Sequence, residues 1–194
     1  IKQTIFFFFF CVVTKRSTFI LTLTQYTKDD LRAFQPVSDD KVIVTYEAAD
    51  LVSKHEEPVK KFVGKQFLLT VGRAEKYKNQ KGAIEAHQLL LKKYPDLWLV
   101  IIGKRDETSH ELERWAQERG YRHIHFFGFA SDDQLAWFYS HCAAYVFPSF
   151  MEGFGLPPLE AMRHGAPVVS SNATCMPEVL GDAALYFDPS DPGE

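Results

Sequence analysis

Hydrophobic and polar positions divide the chain into two regimes. From Phe67 onward, short apolar runs alternate with longer mixed stretches. Strand-length runs fall at 67–71, 97–102, 124–127, 143–147, 167–170 and 184–187. Helical patterning fills 82–94, 109–119, 132–141 and 156–164, with a short helix from Pro177. Thr108-x-x-Glu111 and Ser131-x-x-Gln134 have the form of capping boxes, and Gly120 suits a helix stop. Alternation at this spacing predicts an α/β domain, a mostly parallel sheet with helices on both faces. Ligands of such sheets bind beyond the carboxyl ends of the strands. The loops after Val71, Ile102, Phe127, Phe147 and Ser170 are therefore expected to face one cleft.

The earlier part is less regular. Residues 17–24 alternate Phe19, Leu21 and Leu23 against Thr18, Thr22 and Thr24, which predicts a strand. Thr27-Lys-Asp-Asp30 offers a cap and early acids for a short helix through Phe34. Residues 41–45 form a β-branched run. The five phenylalanines from Phe6 to Phe10 leave no amphipathic pattern, and a buried helix or strand is expected there. The wider apolar run, residues 5–13, is shorter than the roughly 20 residues a bilayer span needs. Lys15 and Arg16 follow it, and no small-residue cleavage site does. Residues 47–66, rich in charge and carrying Pro58, read as a linker between 1–46 and 67–194.

Composition narrows the function classes. A hydrophobic fraction of 46% supports a packed core. A net charge of −3 gives no sign of a general nucleic-acid surface. Three dispersed cysteines, Cys11, Cys142 and Cys175, do not form a disulfide framework, which points to a reducing compartment. His123 and His125 alone are weak evidence for zinc. The chain opens on Ile1 and stops at Glu194 without a closing element, so a fragment truncated at its C-terminus is expected.

The chemistry concentrates in Ser149-Phe-Met-Glu-Gly-Phe-Gly-Leu-Pro-Pro-Leu-Glu-Ala-Met-Arg-His-Gly-Ala-Pro167. It reads strand, glycine loop, helix, strand. Gly153 and Gly155 permit unusual backbone, Pro157 and Pro158 suit a first helical turn, and Gly165 suits the position past its end. Backbone N–H groups at a helix start attract anions, phosphate above all. Glu152 and Glu160 flank that place and are better used accepting bonds from sugar hydroxyls. A diphosphate with sugar on both sides satisfies the loop and both acids. In the loop after the strand at 67–71, Gly72 lets backbone approach a ligand. Arg73 can fork onto phosphate oxygens, and Lys78 adds a point charge. Gly103-Lys104-Arg105 is read as a solvated turn.

Glu152 and Glu160 enclose seven residues, with Gly-Phe-Gly after the first acid. This closely resembles the E-x7-E signature of retaining glycosyltransferases with two Rossmann-like domains, the GT-B fold, and in particular the GT4 family (glycosyl transferases group 1). Glu-Gly-Phe-Gly-Leu-Pro, Glu-Ala-Met and Gly-Ala-Pro-Val-Val occur in the same order. The resemblance implies that 67–194 is the C-terminal, nucleotide-sugar-binding domain and that 1–46 ends an N-terminal acceptor domain. Thr24-Gln-Tyr-Thr-Lys-Asp-Asp-Leu31 is similar to that domain's closing segment, with Thr24 where the family usually has serine.

The resemblance also implies the roles. Arg73 and Lys78 hold the donor diphosphate and help stabilise the leaving group. The backbone of Gly128–Ser131 contacts the base, with Phe129 as an apolar wall. Glu160 grips the ribose, Glu152 lies by the donor sugar, and the amides of Gly153, Phe154 and Gly155 contact sugar and phosphate ahead of the helix start at Leu156. The implied reaction moves a hexosyl group from a nucleotide diphosphate sugar to an acceptor hydroxyl with retention of configuration. No cofactor or metal is implied; GDP-mannose and UDP-hexose are both plausible donors. The implied acceptor is a glycan or lipid-linked molecule. The implied location is cytoplasmic, with room for peripheral attachment at the inner membrane face through the first domain. Without most of that domain, the chain is expected to bind donor but transfer poorly.

Two enzyme classes fit less well. A glycoside hydrolase also flanks an anomeric carbon with two carboxylates, but needs neither the glycine loop nor the Arg73 and Lys78 pair. A dinucleotide-dependent oxidoreductase would show G-x-G-x-x-G after an early strand, which is missing here. A non-catalytic nucleotide-sugar binding module stays open as the alternative.

Overall fold

The computed structural model describes residues 2–193, with side chains described from Phe7 onward. Contacts divide the chain into two units, 1–47 and 48–194.

In the first unit, helix α1 (Lys2–Arg16) precedes β1 (Ile20–Thr22), α2 (Gln25–Phe34) and β2 (Val42–Val44), and β1 pairs with β2 in parallel. Helix α2 starts earlier than Thr27 because Thr24 is its cap, accepting a hydrogen bond from the Thr27 amide at 3.1 Å. A serine hydroxyl would serve equally well there. The expectation of a buried phenylalanine run is overturned in part. Phe7, Phe8 and Phe9 are about half or more exposed on α1. Phe7 and Phe10 still rest edge-on against Phe34, at 5.1 and 5.7 Å. The side chain of Phe6 lies outside the described residues. Among the described residues of α1, the rings that meet α2 find partial cover, while Phe8 and Phe9 stay exposed.

The second unit carries β3 (Phe67–Val71), α3 (Gln80–Leu90), β4 (Trp98–Ile102), α4 (Glu107–Glu118), β5 (Ile124–Gly128), α5 (Asp132–His141), β6 (Ala144–Phe147), α6 (Leu156–Arg163), β7 (Val168–Ser171), α7 (Met176–Leu180) and β8 (Leu185–Phe187). The six strands order as β5-β4-β3-β6-β7-β8, and every pairing is parallel. This is the predicted Rossmann-like sheet. The chain builds outward from β3 in one direction, then returns to lay β6 on its other side. The loops leaving β3 and β6 therefore diverge, and the sheet opens a crevice between them.

Strand alternation sends side chains to two cores. Phe67, Leu69, Val100 and Ile102 join Phe138, Tyr139, Tyr145, Phe147 and Met176 on one face. Leu99 and Ile101 join Ile84 and Ala116 on the other. Helix α3 shares this second face with an apolar cleft lined by Val146, Val169 and Leu185, the last 73% exposed.

The stretch read as a linker packs on the second unit. Phe62 is 1% exposed and lies 5.7 Å from Phe67 and 5.9 Å from Phe138. Ser53 bonds Asp133 at 2.5 Å, and the Val52 amide donates to His164 Nε2 at 3.1 Å. Charge density marked this stretch as a linker, but Phe62, with Val52 and Val59 beside the core, and a set of polar contacts that includes the Glu57 amide on the Asp133 carbonyl at 3.0 Å anchor it. Helix α4 is capped by Asp106, not Thr108, through the Ser109 amide. The Ser131 and Gln134 box forms as predicted.

Candidate functional site

The crevice is built from two loops joined backbone to backbone. The Phe150 amide, after β6, donates to the Tyr77 carbonyl, after β3, at 2.8 Å. The β3 loop is shaped at both ends. Gln80 is buried and donates to the Gly72 carbonyl at 2.9 Å. Asn79 adopts φ of 50° and caps α3 by accepting from the Gly82 amide, while its Nδ2 donates to the Pro189 carbonyl at 2.8 Å. The neighbouring β4 loop crosses close by. A β-carbon on Gly103 would sit 1.9 Å from the Gly72 carbonyl oxygen, so only glycine fits.

Lys78 and Glu152, 74 residues apart in sequence, meet in this crevice. The ammonium donates to Glu152 Oε1 at 2.6 Å, with both side chains largely shielded from solvent. The same ammonium lies 5.4 Å from the ring centres of Tyr77 and Phe147, a cation–π arrangement. Arg73 stands exposed on the same loop.

The acid loop is held from behind by residues that the sequence did not mark. Thr174 Oγ1 accepts the Glu152 amide at 3.2 Å. The Cys175 thiol donates to the Glu152 carbonyl at 3.3 Å, and burial pushes that thiol up. Ser171 donates to the Ser149 carbonyl at 2.7 Å. Gly155 takes φ of 91°, and a β-carbon there would press on the Met176 methyl at 2.8 Å. Gly153 does not use a left-handed conformation, and a β-carbon on it would meet nothing within 4 Å. Only one of the two glycines is thus required by backbone geometry. Phe154 is buried beneath the loop.

Leu156 opens α6, and Pro157 and Pro158 follow it. Prolines carry no N–H, so the donors of this helix end come from Leu156 and the residues just before it. One turn on, Glu160 is half-buried, and its Oε2 accepts from the Tyr139 hydroxyl at 3.1 Å. Burial first, then Tyr145 and the Glu160 carboxylate, hold the Tyr139 phenol well above its ordinary range, so it remains an O–H donor.

This arrangement is a pair of acids and a cation at the head of a helix, at the point where strand order reverses. The second unit matches the family described as glycosyl transferases group 1 over residues 52–194.

The chain belongs to that family.

Among relatives of this chain, O-antigen chain mannosyltransferase B of Escherichia coli is 32% identical over 184 residues, covering 89% of this chain and 48% of its own length. The chain spans about half the length, or less, of the curated relatives it matches. The C-terminal domain of the group 1 glycosyl transferase LpcC from Francisella tularensis is 29% identical, with a TM-score of 0.58, covering 71% of this chain and 78% of that domain. HepE of Anabaena, solved with UDP and glucose, has a TM-score of 0.78 at 18% identity, covering 94% of this chain and 52% of its own. At that identity the likeness concerns the fold alone, which is that of the GT-B glycosyltransferases.

Of the sequence-predicted residues, Gly72, Arg73 and Lys78 share the loop after β3. Glu152, Gly153, Phe154, Gly155, Leu156 and Glu160 share the loop and helix after β6. Phe129 stands 89% exposed on the loop after the edge strand β5, with β4 between it and β3. Arg105 is no solvated cation. It pairs with Glu113, donates to Ser109 at 3.3 Å and covers Phe126. Asn79 could have been found as a helix cap. Thr174, Cys175 and Tyr139 gave no signal, because each acts on a partner about twenty residues away. Among the described residues, no helix is long and apolar enough to cross a membrane.

Proposed function

We propose that this chain supplies the donor half of a hexosyltransferase. The observation that carries the reading is the Lys78 and Glu152 pair, seated at the strand-order reversal beside the head of α6. Lys78 and Arg73 take the donor diphosphate, aided by the Gly155 and Leu156 amides beside Phe154. Charge building on the diphosphate as the glycosidic bond breaks is then met by fixed cations and dipoles. Glu160 accepts from the ribose hydroxyls. Glu152 and Gly153 serve the donor sugar, Gly72 lets the backbone come close, and Phe129 stands toward the base. Neutralisation by Arg73 and Lys78 lets donor bind without a divalent metal, and the reaction calls for no cofactor.

The sugar proposed is mannose from a guanine nucleotide, supported by the mannosyltransferase named above. A uridine nucleotide hexose is the second choice, supported by the UDP and glucose of HepE. The acceptor is a glycan or lipid-linked hydroxyl, reached from the cytoplasmic side of a membrane. Residues 1–46 are assigned to the end of the acceptor domain. The chain spans about half of its relatives, so on its own it should bind donor and transfer little, since the acceptor hydroxyl would be unpositioned. The test is transfer by a full-length parent from GDP-mannose and UDP-hexoses, with the product anomer read by NMR. Transfer with retention is expected. A product of inverted configuration would overturn retention, and no transfer from any donor would overturn the proposal.

A further inference from the structure

Glu160 is held by one residue from the interior. Tyr139 lies on α5, is 0% exposed, and donates its hydroxyl to Glu160 Oε2 at 3.1 Å. The ring is fixed on two sides. His164 stacks on it at 5.8 Å with an interplanar angle of 21°, and Tyr145 meets it edge-on at 5.6 Å. His164 is itself placed by the Val52 amide at 3.1 Å. The phenol therefore has little freedom, and neither has the carboxylate oxygen it binds.

An unrestrained glutamate samples several rotamers and loses that freedom when it binds a ligand. A carboxylate already fixed by a buried donor avoids much of this loss. A carboxylate has about four acceptor positions, so a single phenol bond leaves capacity for two vicinal hydroxyls.

We propose that Tyr139 is a positioning residue, fixing Glu160 so that the site distinguishes a ribose with its 2′- and 3′-hydroxyls from a deoxy sugar. The inference rests on the reading that Glu160 takes the ribose. It identifies what sets that selectivity, a phenol which never reaches the ligand.

The experiment measures binding of GDP and UDP and of their 2′,3′-dideoxy counterparts to the 194-residue chain by calorimetry, for wild type and Tyr139→Phe. Wild type should prefer the ribonucleotide by about tenfold, and the variant should lose about threefold or more of that preference. A merely structural role for the hydroxyl would weaken ribo and dideoxy forms equally, leaving the ratio unchanged, and that result overturns the proposal. Wild type showing no preference for ribose would remove Glu160 from the ribose and overturn both readings. Replacing Tyr139 by 3-fluorotyrosine keeps the ring and supplies a second readout should the phenylalanine variant unfold. Its fluorine resonance should move on adding ribonucleotide and stay put with the dideoxy form; equal movement with both would also overturn the proposal.

Discussion

Thr174 has φ of 54°, a left-handed conformation that β-branched residues rarely adopt, and its hydroxyl takes the Glu152 amide. Such backbone costs on the order of 1–3 kcal/mol and persists where surrounding structure imposes it. Here the gain is a fixed acid loop. Thr174→Val keeps the shape and strain but removes the acceptor, and should destabilise the second unit by about 1–2 kcal/mol. Thr174→Asn tolerates the left-handed backbone and keeps an acceptor, so its stability should be unchanged or slightly raised. Urea unfolding compares the two, and a valine variant as stable as wild type would mean the bond contributes nothing. At this scale the sequence showed the groups facing the crevice and concealed those behind it. Glu152 and Glu160 were legible because they share one local motif, and Lys78 because it stands in the loop just after a predicted strand. Thr174 and Tyr139 were not, because a threonine between a strand and a short helix and a tyrosine in a core helix look like packing.

At the element scale, His87 ties α3 to the turn before β4. It is fully buried, its Nε2 lies 3.0 Å from the Leu97 carbonyl, and its Nδ1 accepts from Gln88 at 2.9 Å. These partners set the Nε2–H tautomer. Burial lowers its pKa below the usual 6.5, against a smaller opposing effect of the Leu97 carbonyl. His125 is lowered too, by burial and by Lys61. The unfolded chain therefore binds protons that the folded protein refuses. Stability from these rings is present above about pH 6.5 and falls as the solution is acidified below it. Unfolding titrations between pH 7.5 and 5 should show that decline, and His87→Gln should reduce its slope. An equal slope in the variant would exclude His87 as a source.

Element boundaries were legible where local chemistry decides them. Helix α5 runs over the predicted residues because its capping box is written in sequence. Helix α3 starts two residues before the predicted Gly82, because Asn79 is the cap and the apolar pattern begins after it. The phenylalanine run shows the opposite limit. Composition could not say which rings α2 would cover.

On the scale of the whole molecule, the sheet order places the chemistry. No single loop holds the candidate site; it exists because β6 returns to the side of β3 away from β4. Strand–helix alternation predicted parallel strands, but the neighbours of β3 follow from pairing between distant segments. The same limit hid the packing of residues 48–66, whose charge masks the one buried ring, Phe62.

The central claim is that this crevice binds a nucleoside diphosphate through Lys78. Calorimetric titration of the 194-residue chain with GDP and UDP, in buffer containing EDTA, for wild type and Lys78→Ala, tests it most directly. Wild type should bind at least one of them without metal. Lys78→Ala should weaken that binding by on the order of 1–3 kcal/mol, as expected for the loss of a charge-assisted hydrogen bond. Binding of neither nucleotide by wild type, or equal affinity in the variant, would contradict it.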